Sequence, residues 1–271
     1  MDFIKWIAKN RRFSRWIMLG VILLFVYLLK LLGVPVWVLV TLYIGLMLLS
    51  FVIIETYPPL IVQSKAVETY FNDCDPFPLL KLSRELLSSN ISPSAKLPVT
   101  LNYCVALRGI GEYQKAFDCL MELNIDALPE GANGVKFICY NNLGDTCMML
   151  ENFPEASSYY HKALEIFPLI LNEQEKDQLM QIQSGIQADL CYINKDYKRS
   201  SEFLEAIESN QKESLVSYAL ANAKNYIKLG NFEKATEKLE FVIANGNKLF
   251  AVVEAKKLMD LIKNEAVHLD N

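Results

Sequence analysis

The side chains of this chain that could do chemistry are few, and they do not converge. There are two histidines, His161 and His268, and six cysteines: Cys74, Cys104, Cys119, Cys139, Cys147 and Cys191. A zinc site needs N and S ligands at short spacings, such as a C-x-x-C pair. No such pair exists here, and neither histidine has a partner ligand at zinc-like spacing. The cysteines fall mostly on apolar positions of predicted helices, where a free thiol acts as a small hydrophobe, and they suit a reducing compartment. His161 follows Tyr160 with no nucleophile or orienting acid to pair with it, so it reads as a partly exposed helix residue and not as a base. The acidic run Asn172–Asp177 resembles a cation site but contains Lys176, and it reads as a solvated helix start. No G-x-S-x-G, H-E-x-x-H, Walker loop or Rossmann glycine run is present. The chain is expected to be non-catalytic, without cofactor or metal.

The elements beneath these residues are helical. From Tyr140 to Pro168, apolar and small residues recur at Tyr140, Leu143, Gly144 and Cys147, then at Phe153, Ala156, Tyr160 and Ala163. These are two helical stripes with a break at Glu151-Asn152. The stretch resembles a tetratricopeptide repeat, a helix–turn–helix of about 34 residues. Tyr140 stands at the family's Trp position, Leu143-Gly144 at its Leu-Gly pair and Cys147 at its Tyr. Ala156, Tyr160, Ala163 and Pro168 match the small, aromatic, small and terminating-proline positions of the second helix. Small residues are required where the two helices touch, because a large side chain would hold them apart.

The turn signature of that stretch recurs. Gly111-Glu112-Tyr113 leads to Ala116, Lys195-Asp196-Tyr197 to Ser200 and Gly230-Asn231-Phe232 to Ala235, with a weaker copy from Asp75-Pro76-Phe77 to Leu80. The expected fold class is all-α: a tetratricopeptide-type α-solenoid over residues 65–271, preceded by a two-helix transmembrane hairpin. Units are expected near 65–90, 97–125, 137–168, 181–210 and 216–246, with insertions at Leu123–Lys136 and Leu169–Gln178. A capping helix is expected over 248–265, with Lys256, Lys257 and Lys263 on a solvated outer face.

The resemblance implies that a protein or peptide partner binds along a concave face lined mainly by the first helix of each unit. On this chain that face would present Asn102, Arg108, Asn141, Asn142, Asp145, Met148, Met149, Asp189, Tyr192, Lys224 and Lys228. Met148, Met149 and Tyr192 have the flexible or aromatic character of adaptable surfaces. Asp145 and Asp189 stand where a carboxylate-clamping face would need basic or amide residues, so an acidic C-terminal peptide is not the expected ligand.

The head of the chain has a different composition. Residues 1–54 carry Lys5, Lys9, Arg11, Arg12, Arg15 and Lys30 against Asp2 alone, while the whole chain has a net charge of −4. A basic, apolar head therefore joins an acidic body, and an acidic body excludes nucleic acid as a natural partner. Two apolar runs, 16–32 and 36–54, flank Gly33-Val34-Pro35, a helix breaker. As one helix they would span about 58 Å, against a hydrocarbon core of about 30 Å. A transmembrane hairpin over 16–54 accommodates both, its contact being the lipid bilayer. Residues 1–15 are expected as a basic amphipathic surface segment and 55–64, with Pro58-Pro59, as the linker. The cations before the first run place the N-terminus, and hence the body, in the cytoplasm. A cleaved signal peptide fits less well, because no small-x-small cleavage site follows and a second apolar run comes directly after. Lysine in excess of arginine leans the assignment towards a bacterial plasma membrane.

The expected function is a membrane-anchored interaction scaffold or adaptor. The alternatives are a peptide-sensing signalling receptor and, more remotely, an enzyme or an enzyme accessory subunit. The first alternative usually carries an output domain, and no convergent polar constellation supports the second.

Overall fold

The structure, a computed structural model, describes residues 11–89 and 91–269. Among these residues there is helix and no β-strand. The chain divides into two compact units, one of residues 1–67 with 81–100 and one of residues 68–80 with 101–271.

In the first unit, α1 (Arg11–Leu31) is followed by a turn and by α2 (Val36–Asp73). The expected break at Gly33-Val34-Pro35 is present. Gly33 takes φ +81°, and the amides of Gly33 and Val34 donate to the carbonyls of Lys30 and Leu29. This left-handed residue, with its pair of reverse bonds, satisfies carbonyls that a helix end leaves open. Pro58-Pro59 does not end a helix: the expected linker, 55–64, is helical, and α2 runs for 38 residues through it. A proline removes one backbone bond and strains one turn, at about 3 kcal/mol. The helix runs on at both sides of the two prolines, so the loss stays local to that turn.

Phe13–Leu31 is long and apolar enough to cross a membrane, with mean hydropathy 1.8, whereas the apolar stretch Val36–Ser50 is shorter. Large apolar side chains stand exposed on both, Trp16 at 73% and Trp37 at 74%. Further along, Gln63 donates to Ser83 of α3 (Pro76–Ser88) at 2.8 Å, both side chains being buried. Residues 1–10, which hold most of the expected surface segment, lie outside the described residues.

The second unit holds the repeats. The pairs are the second part of α4 (Pro93–Gly109) with α5 (Tyr113–Met121), α6 (Asn133–Met149) with α7 (Phe153–Ile166), α8 (Glu173–Ile193) with α9 (Tyr197–Ala206), and α10 (Lys212–Lys228) with α11 (Phe232–Asn245). The last helix is α12 (Phe250–Leu269). Asn172 caps α8 by accepting from the Glu175 amide, so the acidic run there is a helix start, as its pattern predicts. The insertions become short connections with 3-10 turns at Ile125–Ala127 and Phe167–Leu169, and α8 takes up part of the second.

The four turns are the same device. Gly111, Glu151, Lys195 and Gly230 all take positive φ, at 82°, 57°, 62° and 71°. The next residue in each, Glu112, Asn152, Asp196 and Asn231, donates its amide to Leu107, Cys147, Cys191 and Tyr226 respectively. Packing repeats as well. Cys104, Gly144, Ala188 and Ala223 are buried on the first helices, and Ala116, Ala156, Ser200 and Ala235 on the second. The third unit, the most divergent in sequence, is thus built like the others, with Asn225 donating to Ser200 at 2.9 Å across the next interface.

The loop before the last helix bonds back to the start of the unit. Asn247, at φ +46°, donates its side-chain amide to the Asp73 carbonyl at 2.7 Å, and the Lys248 backbone amide donates to the Cys74 carbonyl. Lys248 Nζ pairs with Asp75 at 2.5 Å, and the rings of Phe250 and Tyr113 meet edge-on at 5.9 Å. The loop before α12 therefore closes on the start of the unit. Lys256, Lys257 and Lys263 keep their expected solvated positions, while Ala255, Met259 and Ile262 are buried.

Candidate interaction site

Polar side chains of successive first helices meet. Arg108, near the end of α4, donates to Asp145 of α6 at 2.8 Å. Asn141, one turn before Asp145, donates to the same carboxylate oxygen at 3.2 Å. The other oxygen of Asp145 lies 3.0 Å from the Tyr160 hydroxyl of α7, and that hydroxyl lies 2.7 Å from Asp189 of α8. Beyond it, Lys224 of α10 pairs with Glu254 of α12 at 2.6 Å. Tyr70 donates to Glu213 at 3.4 Å, and Ser217 donates to the same oxygen at 2.9 Å.

This arrangement is set by spacing. Asp145, Asp189 and Lys224 occupy the same place on successive first helices, six residues before the positive-φ residues Glu151, Lys195 and Gly230. Stacking the helices therefore lines them up. Arg108 reaches into the row from the last turn of α4, where a cation also complements the helix dipole.

Burial alters the acid–base character of the row. Asp189 is pushed up to about 7, first by burial and then by the Asp145 charge; the Tyr160 hydrogen bond and Lys224 act against this. Burial also raises Glu213, against the pull of Ser217, Arg108 and Tyr70. Tyr160 is held well above the usual phenol range by burial and by the two aspartates.

The eleven candidate residues thus sort into groups. Arg108, Asn141, Asp145 and Asp189 form one connected cluster, with Lys224 beside it. Asp145 and Asn141, read from sequence as positions left to recognise a ligand, are instead bonded within the chain. Asn142 is buried at 6% exposure, and its amide donates to the Ile138 carbonyl on its own helix. Asn102 and Met148 are half-buried. Tyr192 packs against Phe153 and Tyr197, at 6.2 and 5.4 Å between ring centres. Met149, 42% exposed, and Lys228 are the accessible members.

Sequence reasoning missed Tyr70, Glu213 and the polar role of Tyr160. The aromatic position of a second helix reads as packing, and nothing in the pattern marks its hydroxyl. Glu213 looks like an ordinary first-turn acid. His161 is exposed and donates from Nδ1 to the Ser157 carbonyl at 2.7 Å, a local bond. The cysteines are free thiols, four of them buried. Burial pushes Cys74, Cys139 and Cys147 up to about 11, which makes them poor nucleophiles.

The fold defines the class: an all-helical protein of paired-helix repeats. Residues 137–170 match the family model for the tetratricopeptide repeat, the stretch formed by α6 and α7. Repeats of this family generally mediate protein–protein binding and are usually non-catalytic. The curated proteins offered no match to this chain.

Proposed function

We propose that this chain is a membrane-anchored, non-catalytic interaction scaffold whose repeats face the cytoplasm. The observation that carries the reading is the coupling of a tetratricopeptide match at residues 137–170 with an apolar, exposed helix at Phe13–Leu31. Large exposed apolar surface on α1 is unfavourable in water and is relieved in lipid. The apolar start of α2 would return the chain across the bilayer as a second span. The anchor would hold the repeats near membrane-bound partners and raise their effective concentration. The partner would meet the first-helix face at the accessible Met149 and Lys228, with the half-buried Met148 and Tyr192 as further contacts.

Two measurements test this. An impermeant thiol reagent applied to intact cells should leave Cys191, which is partly exposed, unlabelled until the cells are lysed; equal labelling before lysis overturns the cytoplasmic placement. Photo-crosslinkers placed at Met149 or Lys228 in native membranes should yield partner adducts, whereas one at the exposed Glu165 of α7 should not. Adducts from Glu165 alone would remove the first-helix face as the binding surface.

A further inference from the structure

A phenol carries one proton, yet the Tyr160 hydroxyl sits within hydrogen-bond distance of two carboxyl groups, Asp145 at 3.0 Å and Asp189 at 2.7 Å. It can donate to only one of them. Asp145 already accepts from the Arg108 guanidinium and from Asn141, the environment of an ionised carboxylate. The second contact therefore needs a proton of its own. We infer that Asp189 is protonated in this arrangement, donating to Tyr160 while Tyr160 donates to Asp145, and that loss of this proton loosens α8 from the α6–α7 pair. The inference rests on the packing of the repeats alone and does not depend on the partner reading.

The surroundings of Asp189 support it. From α6 it faces Asp145, and from α7 Tyr160. From α10 it faces Lys224, which is paired with Glu254, and Tyr218; on its own helix it neighbours Tyr192. Arg108 stands behind Asp145 and is shared with Glu213. No cation contacts Asp189 directly among the hydrogen bonds and ion pairs described. When Asp189 ionises, two negative carboxylates flank one hydroxyl proton, and one of the two bonds is lost. The bonds in question join α6, α7 and α8, two neighbouring repeats, so the change falls on their packing and on the charge of this cluster.

The direction of the pH dependence follows. Asp189 sits near 7 in the folded chain, against roughly 3.9 for an unfolded aspartate. The folded state binds the extra proton between those values, so this group's stabilisation is full below the lower one and is lost as pH rises through the upper one. The test uses the full-length protein in nanodiscs. The thermal midpoint of the wild type should fall between about pH 5 and about pH 8. D189N, whose amide donates to Tyr160 without titrating, should lose most of that fall and stay near the low-pH value. Infrared difference spectra should show a protonated-carboxyl band that titrates near neutral pH in the wild type and is missing in D189N. The inference is overturned if D189N keeps the wild-type fall, or if E213Q removes it instead. Should D189N not fold, a wild-type carboxyl band that titrates only in the ordinary aspartate range overturns it equally.

Discussion

A Cβ placed on Gly144 would stand 2.4 Å from Cε1 of Tyr160, a ring that is wholly buried. The first and second helices of the central repeat are thus in contact through a glycine on one side and an aromatic face on the other. The ring cannot swing aside, because its hydroxyl is engaged by Asp145 and Asp189. Gly144→Ala is a favourable exchange for an isolated helix but should destabilise this protein by about 1–3 kcal/mol through overpacking. Ala156→Leu should act alike, as Ala156 has no exposed surface. Denaturant unfolding measures both, and a gain in stability from Gly144→Ala would show that the helices have room to part.

Arg108 and Asp145 join the α4–α5 pair to the α6–α7 pair, with side-chain exposures of 13% and 27%. Removing the guanidinium leaves a half-buried carboxylate with only Asn141 and Tyr160 for partners. Arg108→Ala is expected to cost about 2–3 kcal/mol, somewhat less than a fully buried pair. Arg108→Lys should recover part of this. In a double-mutant cycle with Asp145→Asn, a coupling energy indistinguishable from zero would show that the pair contributes nothing beyond its separate members.

Glu151 and Lys195 hold the left-handed position that glycine fills in the turns at 111 and 230. A side chain there is strained by about 1 kcal/mol or more, and glycine is not. Glu151→Gly and Lys195→Gly should therefore raise the thermal midpoint slightly, despite the added freedom of the unfolded chain. The converse exchange, Gly230→Ala, should lower it. Gly230 has open space around its would-be Cβ, so any loss there reports backbone conformation and not crowding.

Asn247 and Lys248 tie the last turn to Asp73, Cys74 and Asp75, more than 170 residues earlier. Replacing both with alanine removes the two side-chain bonds, keeps the Lys248 backbone bond to Cys74, and should loosen this closure while leaving the repeats folded. Hydrogen exchange should then quicken in α12 and around Gly111, whose would-be Cβ lies 2.7 Å from Phe250, and remain slow in α6 and α7. Uniform quickening across the unit would mean that the closure supports the whole array.

Much of the local architecture was legible in the sequence because it obeys local rules. Helical periodicity marked α6 and α7, the Gly-Val-Pro turn separated α1 from α2, and the aromatic-to-small signature located every repeat turn, the degenerate third one included. Pro58-Pro59 was misleading because proline propensity is a local penalty that a long helix can absorb. The acidic run at 172–177 was read correctly because a helix cap depends only on residues within one turn.

The inner cluster is a different matter. Arg108, Asp145, Tyr160, Asp189 and Glu213 each looked like a residue of its own helix, either a surface polar group or a packing aromatic. Their meeting depends on how successive helix pairs rotate against one another, and small residues such as Gly144 and Ala188 permit that rotation without specifying a polar partner. Within the repeats, the sequence by itself determined where the helices turn and which small residues touch, because 3.6-residue periodicity, left-handed turn positions and small-residue contacts act over a few residues. Only the tertiary structure decided that the polar face is bonded within itself and that the array closes on its own beginning. Those contacts join residues remote in the chain, and no local preference of either partner encodes them.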